Sequence, residues 1–138
     1  MTTTITTTTE VSDDLLWGIF VTALEGGIGY WSVCTEYRHS DPETRIEDHT
    51  NFYAVVVDTT EHCDGQVVDE NGEPTDLLRI DRAVILKGLQ AIAAREVKLA
   101  PRIHADVSAA LGGDAGALDA EGADCVVQAG LFNDVVYG

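Results

Sequence analysis

Apolar residues recur at helical spacing early in the chain: Leu16, Phe20, Ala23 and Leu24 in one series, Trp17, Val21 and Leu24 in another. This predicts an amphipathic helix that starts at Asp13. Ser12 supplies an oxygen for an unpaired amide of the first turn, and Asp13 and Asp14 sit where the helix dipole favours negative charge. Gly26 is the expected stop. The pattern then changes from a period near 3.6 to a period of 2. From Tyr30 to Tyr37, Trp31, Val33 and Thr35 alternate with Tyr30, Ser32, Cys34 and Glu36, which predicts a strand. Between helix and strand lies a hinge, Glu25-Gly26-Gly27-Ile28-Gly29-Tyr30-Trp31, which sets glycines against two large aromatics and one acid.

Arg38 to Arg45 is polar and interrupted by Pro42, so it predicts a loop. Asn51 to Asp58 is almost wholly apolar and predicts a central strand covered on both faces. Gln66-Val67-Val68 and Leu77-Leu78-Arg79-Ile80 flank Asn71-Gly72, a strong hairpin signal, with Pro74 marking an edge or loop position. Asp81 caps a second helix, Arg82 to about Glu96, with Val84, Ile85, Leu89, Ile92 and Ala93 on its apolar face. Gly88 interrupts that helix, at a cost of about 1 kcal/mol relative to Ala, and admits a close neighbour. Pro101 opens a third helix that Gly112-Gly113 ends. A fourth follows Asp119 and runs to about Phe132, and Val135-Val136-Tyr137 reads as a short last strand. The order predicts an α+β fold: a mostly antiparallel sheet of three to five strands with about four helices packed on it. Residues 1–11 read as a threonine-rich tail and 12–138 as one domain.

Composition sharpens this. A chain of 138 residues, 45% hydrophobic, can build one core. No apolar run reaches membrane-spanning length. Met1 to Thr9 lack the basic start and apolar centre of a signal peptide, and the 3 cysteines, widely spaced, fit reduced thiols in a cytoplasm. Cys34 and Cys125 lie in apolar stretches and read as small buried residues. Acids outnumber bases 24 to 8, for a net charge of −16. Such a surface repels nucleic acid directly. Three explanations stay open: solubility, compositional drift of the source, and mimicry, in which carboxylates imitate a phosphate backbone. The acids concentrate between Asp58 and Asp81, where Glu61, Asp64, Asp69, Glu70, Glu73 and Asp76 face a single base, Arg79. Their spacing is not that of a calcium-binding EF-hand loop.

The search for chemistry returns little. Neither a Walker loop nor a GxSxG elbow is present, and no CxxC, HxH or HExxH motif occurs. A zinc site from His39, His49 and Cys63 would have to assemble across loops, and His62 beside Cys63 points away from it on an extended chain. No catalytic residue, metal ligand or cofactor is assigned. The hinge has two readings: a turn with Tyr30 and Trp31 in the core, or an aromatic floor for a planar ligand or partner with Glu25 as polar anchor.

Two segments look alike in kind with a known group. Ala23-Leu24-Glu25-Gly26-Gly27-Ile28-Gly29-Tyr30-Trp31 and Asp124-Cys125-Val126-Val127-Gln128-Ala129-Gly130-Leu131-Phe132, followed by Val135-Val136-Tyr137-Gly138, resemble the "EGGI-x-YW" and "D-x-VVQ-x-x-LF…VVYG" segments of small bacteriophage proteins, notably those of phages infecting actinobacteria. The resemblance implies a phage setting in a host cytoplasm and no particular chemistry. If the two segments meet, Glu25, Tyr30, Trp31, Asp124, Gln128 and Phe132 line one site, since Asp124 and Gln128, four apart, share a helix face; the other outcome is a core seam with a polar network. The leading expectation is a non-enzymatic accessory protein that binds a basic host protein through the acidic segment. A small-molecule or nucleotide binder using the hinge is second, and a small enzyme third. A homo-oligomer is compatible with each.

Overall fold

A computed structural model describes residues 10–59, 67–68, 71, 74–75 and 77–138. Helices α1 (Asp13–Thr22), α2 (Arg82–Ala93), α3 (Pro101–Leu111) and α4 (Ala120–Phe132) pack on one face of a sheet made by β1 (Ser32–Arg38), β2 (Tyr53–Asp58) and β5 (Leu77–Asp81). The sheet order is β1-β2-β5 and both pairings are antiparallel. The fold is α+β. Two short strands, β3 (Val67–Val68) and β4 (Pro74–Thr75), form a separate antiparallel pair.

The helix starts follow local chemistry. Ser12, Asp81 and Asp119 each accept a bond from an amide in the first turn of α1, α2 and α4, and Pro101 opens α3. Helix α1 does not stop at Gly26. It widens into a π-helical turn, Ala23–Gly27, closed by Ile28 N donating to the Ala23 carbonyl at 3.0 Å, and Gly26 does not take a left-handed conformation.

The central strand β2 is covered on one face only. Ala54, Val56 and Asp58 are buried, while Tyr53, Val55 and Val57 are half-buried, because all four helices lie on the same side. Strand β1 carries a bulge between Cys34 and Glu36, so Val33 and Glu36 both pair across the open face, opposite Val57 and Val55. Trp31 precedes the strand, in a turn where its amide and that of Ser32 donate to the Ile28 carbonyl. It is therefore buried while Val33 is 55% exposed, and the expected shared face of Trp31 and Val33 does not form. Cys34, expected inside, is exposed on this edge strand. The expected hairpin around Asn71-Gly72 divides differently. Val67–Val68 pairs with Pro74–Thr75, and Leu77–Asp81 joins β2, where Leu78 and Ile80 reach the core. Val135 to Tyr137 is not a strand: its amides are taken by a side chain.

The core lies between Ala54, Val56, Leu78 and Ile80 of the sheet and the inward residues of the helices, with Phe20 tilted on Phe52 at 4.6 Å. Each fully buried Leu, Ile or Phe contributes about 1.5–3 kcal/mol. Helix α4 is the central element, buried continuously from Gly122 to Gly130. It crosses α2 at a pair of glycines. A Cβ on Gly88 would lie 2.0 Å from the Val126 carbonyl oxygen, and one on Gly130 would lie 2.1 Å from that of Val84. Among the described residues no helix is long and apolar enough to cross a membrane.

Candidate functional site

A helix buried on every side has no solvent to satisfy its polar side chains, so Asp124 and Gln128 must find partners inside the protein. The hinge supplies them. Gly27 lets the π-helical turn lie against the start of α4, where a Cβ would come within 2.8 Å of the Ala120 carbonyl oxygen. The chain leaving that turn brings both hinge aromatics to Asp124. Tyr30 Oη donates to Asp124 Oδ2 at 2.6 Å, and Trp31 Nε1 donates to Oδ1 at 2.9 Å. Gln128, one helical turn on, donates from Nε2 to Asp124 Oδ1 at 2.9 Å.

Gln128 faces two ways. Besides Asp124, its Nε2 reaches the Tyr137 carbonyl at 3.2 Å and Tyr30 Oη at 3.3 Å. Its Oε1 accepts from the amides of Val136 and Tyr137, both at 2.8 Å. One fully buried side chain thus holds the C-terminal tail as a strand neighbour would. Tyr137 completes the arrangement. Its ring stacks on Trp31 with centroids 5.2 Å apart, Phe132 meets Trp31 edge-on at 5.8 Å, and its hydroxyl donates to Asp58 Oδ2 at the end of β2.

The two terminal segments therefore meet, and five of the six expected site residues, Tyr30, Trp31, Asp124, Gln128 and Phe132, form one cluster. Glu25 stands apart. It lies on a groove of about 240 Å³ between the π-helical turn and the edge of β1, with Val21, Leu24, Cys34, Tyr37 and His39. The rest of the cluster is an internal seam. Trp31 and Gln128 are 0% exposed and Asp124 is 5% exposed, so none of the three offers a floor to a planar ligand. Tyr30 is the exception, 57% exposed with its hydroxyl turned inward. Asp58 and Tyr137 belong to the seam and were not singled out from sequence; an acid closing an apolar strand was the available signal for Asp58.

Electrostatics follow from burial. The Tyr30 phenol is held far above its usual pKa, first by burial of its hydroxyl end and then by the Asp124 carboxylate that it bonds. The Cys125 thiol is pushed up to about 11, mainly by burial, with Asp124 adding to it. Both groups stay protonated at neutral pH, so neither is an activated nucleophile. Outside the seam lies a cleft of about 340 Å³ between Gly26, Gly27, Tyr30, the first turns of α4 and the tail. The charged side chains that line it are Glu121 and Asp124. A phosphate would meet carboxylates there, which disfavours a nucleotide.

The acidic residues Glu61, Asp64, Asp69, Glu70, Glu73 and Asp76 lie outside the described residues, as do His62 and Cys63. His39 and His49 do not converge: one ring stacks on Tyr37 and the other on Trp17. Among the described residues no group of three or more His, Cys, Asp or Glu is placed to hold a metal ion. The chain matches no protein-family model, no curated protein and no solved structure.

Proposed function

We propose that the protein is a non-enzymatic, phage-encoded accessory protein that binds a basic host protein in the host cytoplasm, its carboxylates standing in for a nucleic-acid backbone. The observation that carries this reading is the charge and how it is distributed. The net charge is −16, and four of the bases are engaged by carboxylates within the fold. Arg38 is held by Asp48 at 3.0 Å, Arg79 by Asp81 at 3.4 Å and Arg82 by Asp13 at 2.7 Å. Arg102 sits among Asp106, Asp119 and Glu121. Cations that would break up the negative field are thus neutralised at close range. A field of one sign raises encounter rates with a partner of the opposite sign and weakens with salt.

The inward hydrogen bonding of Trp31, Asp124 and Gln128 removes the main support for a nucleotide pocket at the hinge. The test is to capture the host partner on the tagged protein, purify it, and measure binding across a salt series. Charge reversal at Glu61, Asp64, Asp69 and Glu70 abolishes binding on this reading, and duplex DNA competes for the same partner. Binding indifferent to salt, to the reversals and to DNA would overturn it.

A further inference from the structure

The loop between β1 and β2, residues 39–52, is fastened to α1 at one point. The His49 ring stacks on Trp17 with centroids 4.8 Å apart, and Trp17 Nε1 donates to the His39 carbonyl at 2.9 Å. The two nitrogens of His49 then meet two different carboxylates. Nδ1 faces Asp14 Oδ1 in the first turn of α1, and Nε2 faces Glu47 Oε2 at 3.0 Å. An ionised carboxylate only accepts hydrogen bonds, whereas a neutral imidazole has one N–H and one lone pair. A neutral ring would satisfy one contact and set its lone pair against the other carboxylate. Only the imidazolium donates to both.

We infer that His49 is a proton-operated latch: doubly protonated, it ties the 39–52 loop to α1 through Asp14 and Glu47, and loss of the proton unfastens the loop and uncovers the face of Trp17. The groups facing the ring are Asp14 and Trp17 from α1 and Glu47 from the loop itself. The nearby charges are already paired, Asp48 with Arg38 and Asp13 with Arg82. Glu47 first and Asp14 second hold the imidazole pKa above its ordinary 6.5. The folded state therefore binds the proton more tightly than the unfolded chain. The latch is fully closed below 6.5 and is lost as pH rises through the raised value. His39, where the loop begins, is also a wall of the groove that holds Glu25 and Tyr37, so the latch position bears on that groove. The inference is independent of the proposed binding function.

The test is a nitrogen-15 titration of the histidine rings in the full chain, with amide exchange across 39–52 followed over the same pH range. The expected result is both His49 nitrogens protonated at neutral pH, a native pKa above that of the same residue in the urea-unfolded chain, and loss of loop protection as that pKa is passed. In Asp14→Asn/Glu47→Gln the pKa shifts down. In His49→Phe, which keeps a ring on Trp17, the loop is unprotected at every pH. A single neutral tautomer at neutral pH, a native pKa at or below the unfolded one, or unchanged protection in His49→Phe would each overturn the latch. The wild-type comparison with the unfolded chain stands even if the double variant does not fold.

Discussion

Replacing Gly88 by alanine sets two effects of opposite sign against each other, and the structure decides between them. In an isolated helix the change favours folding by about 1 kcal/mol, because glycine has the more flexible unfolded chain. In this protein the new methyl carbon would lie 2.0 Å from the Val126 carbonyl oxygen, 2.9 Å from its carbon and 3.1 Å from the Gly130 nitrogen. All three are backbone atoms of α4, so no rotamer change relieves the contact. Restoring an ordinary separation near 3.4 Å requires α2 and α4 to part by more than an ångström. That loosens the layer built from Ile85, Leu89, Val126 and Val127. Overpacking of a tight core costs about 1–3 kcal/mol and occasionally more, and a clash with backbone falls at the upper end. After the propensity gain, we expect a net loss of about 2 kcal/mol or more, which lowers Tm by several degrees in a domain of this size. Gly18→Ala is the internal control. It lies within α1, and a Cβ there meets nothing within 4 Å, so the same substitution should stabilise by about 0.5–1 kcal/mol. Denaturant unfolding of both variants gives the two signs in one assay. A Gly88→Ala protein as stable as the wild type, or more stable, would refute the close crossing.

Gln128→Leu removes the acceptor for the Val136 and Tyr137 amides and a donor to Asp124; at about 1–3 kcal/mol for each buried group left unpaired, we expect a loss of about 2–4 kcal/mol and fast amide exchange at both tail residues. A tail that stayed protected would mean that the stack of Tyr137 on Trp31 holds it unaided. Alkylation of the native protein at mildly alkaline pH should label the exposed Cys34 and spare Cys125, whose thiol is pushed up to about 11; mass spectrometry of the peptides reads this directly. Acid should loosen the 39–52 loop as well. Asp41 is held below its ordinary 3.8 by the Glu43 and Thr44 amides, and Asp48 chiefly by that of Asn51, so their contribution is present above 3.8 and lost as pH falls through the lowered values. Carbon-13 titration of the two carboxyls checks it, and midpoints at or above 3.8 would contradict it.

What could be read from the sequence was what short-range chemistry decides. Ser12, Asp81 and Asp119 cap helices because the oxygen and the amide it meets are three residues apart. Gly88 signalled a close neighbour because nothing local explained a glycine in that helix. The meeting of Tyr30 and Trp31 with Asp124 and Gln128 came into view only through the paired segments. Other features depend on distant partners. Val135 to Tyr137 has the composition of a strand, but its amides are claimed by Gln128. Leu77 to Asp81 could pair across Asn71-Gly72 or join β2, and burial of Leu78 and Ile80 favours β2. The run in β2 suggested two covered faces because periodicity does not say on which sides the helices will lie. Glu25 was assigned to the hinge by adjacency, yet within a helical turn one residue is enough to point a side chain elsewhere.

The π-helical turn at Ala23–Gly27 also sets how this chain can change in length. A π turn carries one residue more than the α turn it replaces. Deleting any one of those residues would let the segment wind as α-helix and rotate everything after it by about 100° around the axis. Tyr30 and Trp31 would swing off Asp124, and the tail would lose the ring on which Tyr137 lies. The polar 39–52 loop, joined to the rest mainly by side-chain bonds, can gain or lose a residue at far smaller cost. Insertions and deletions should therefore collect in that loop as the chain diverges, and the hinge should keep its length even where its residues are exchanged.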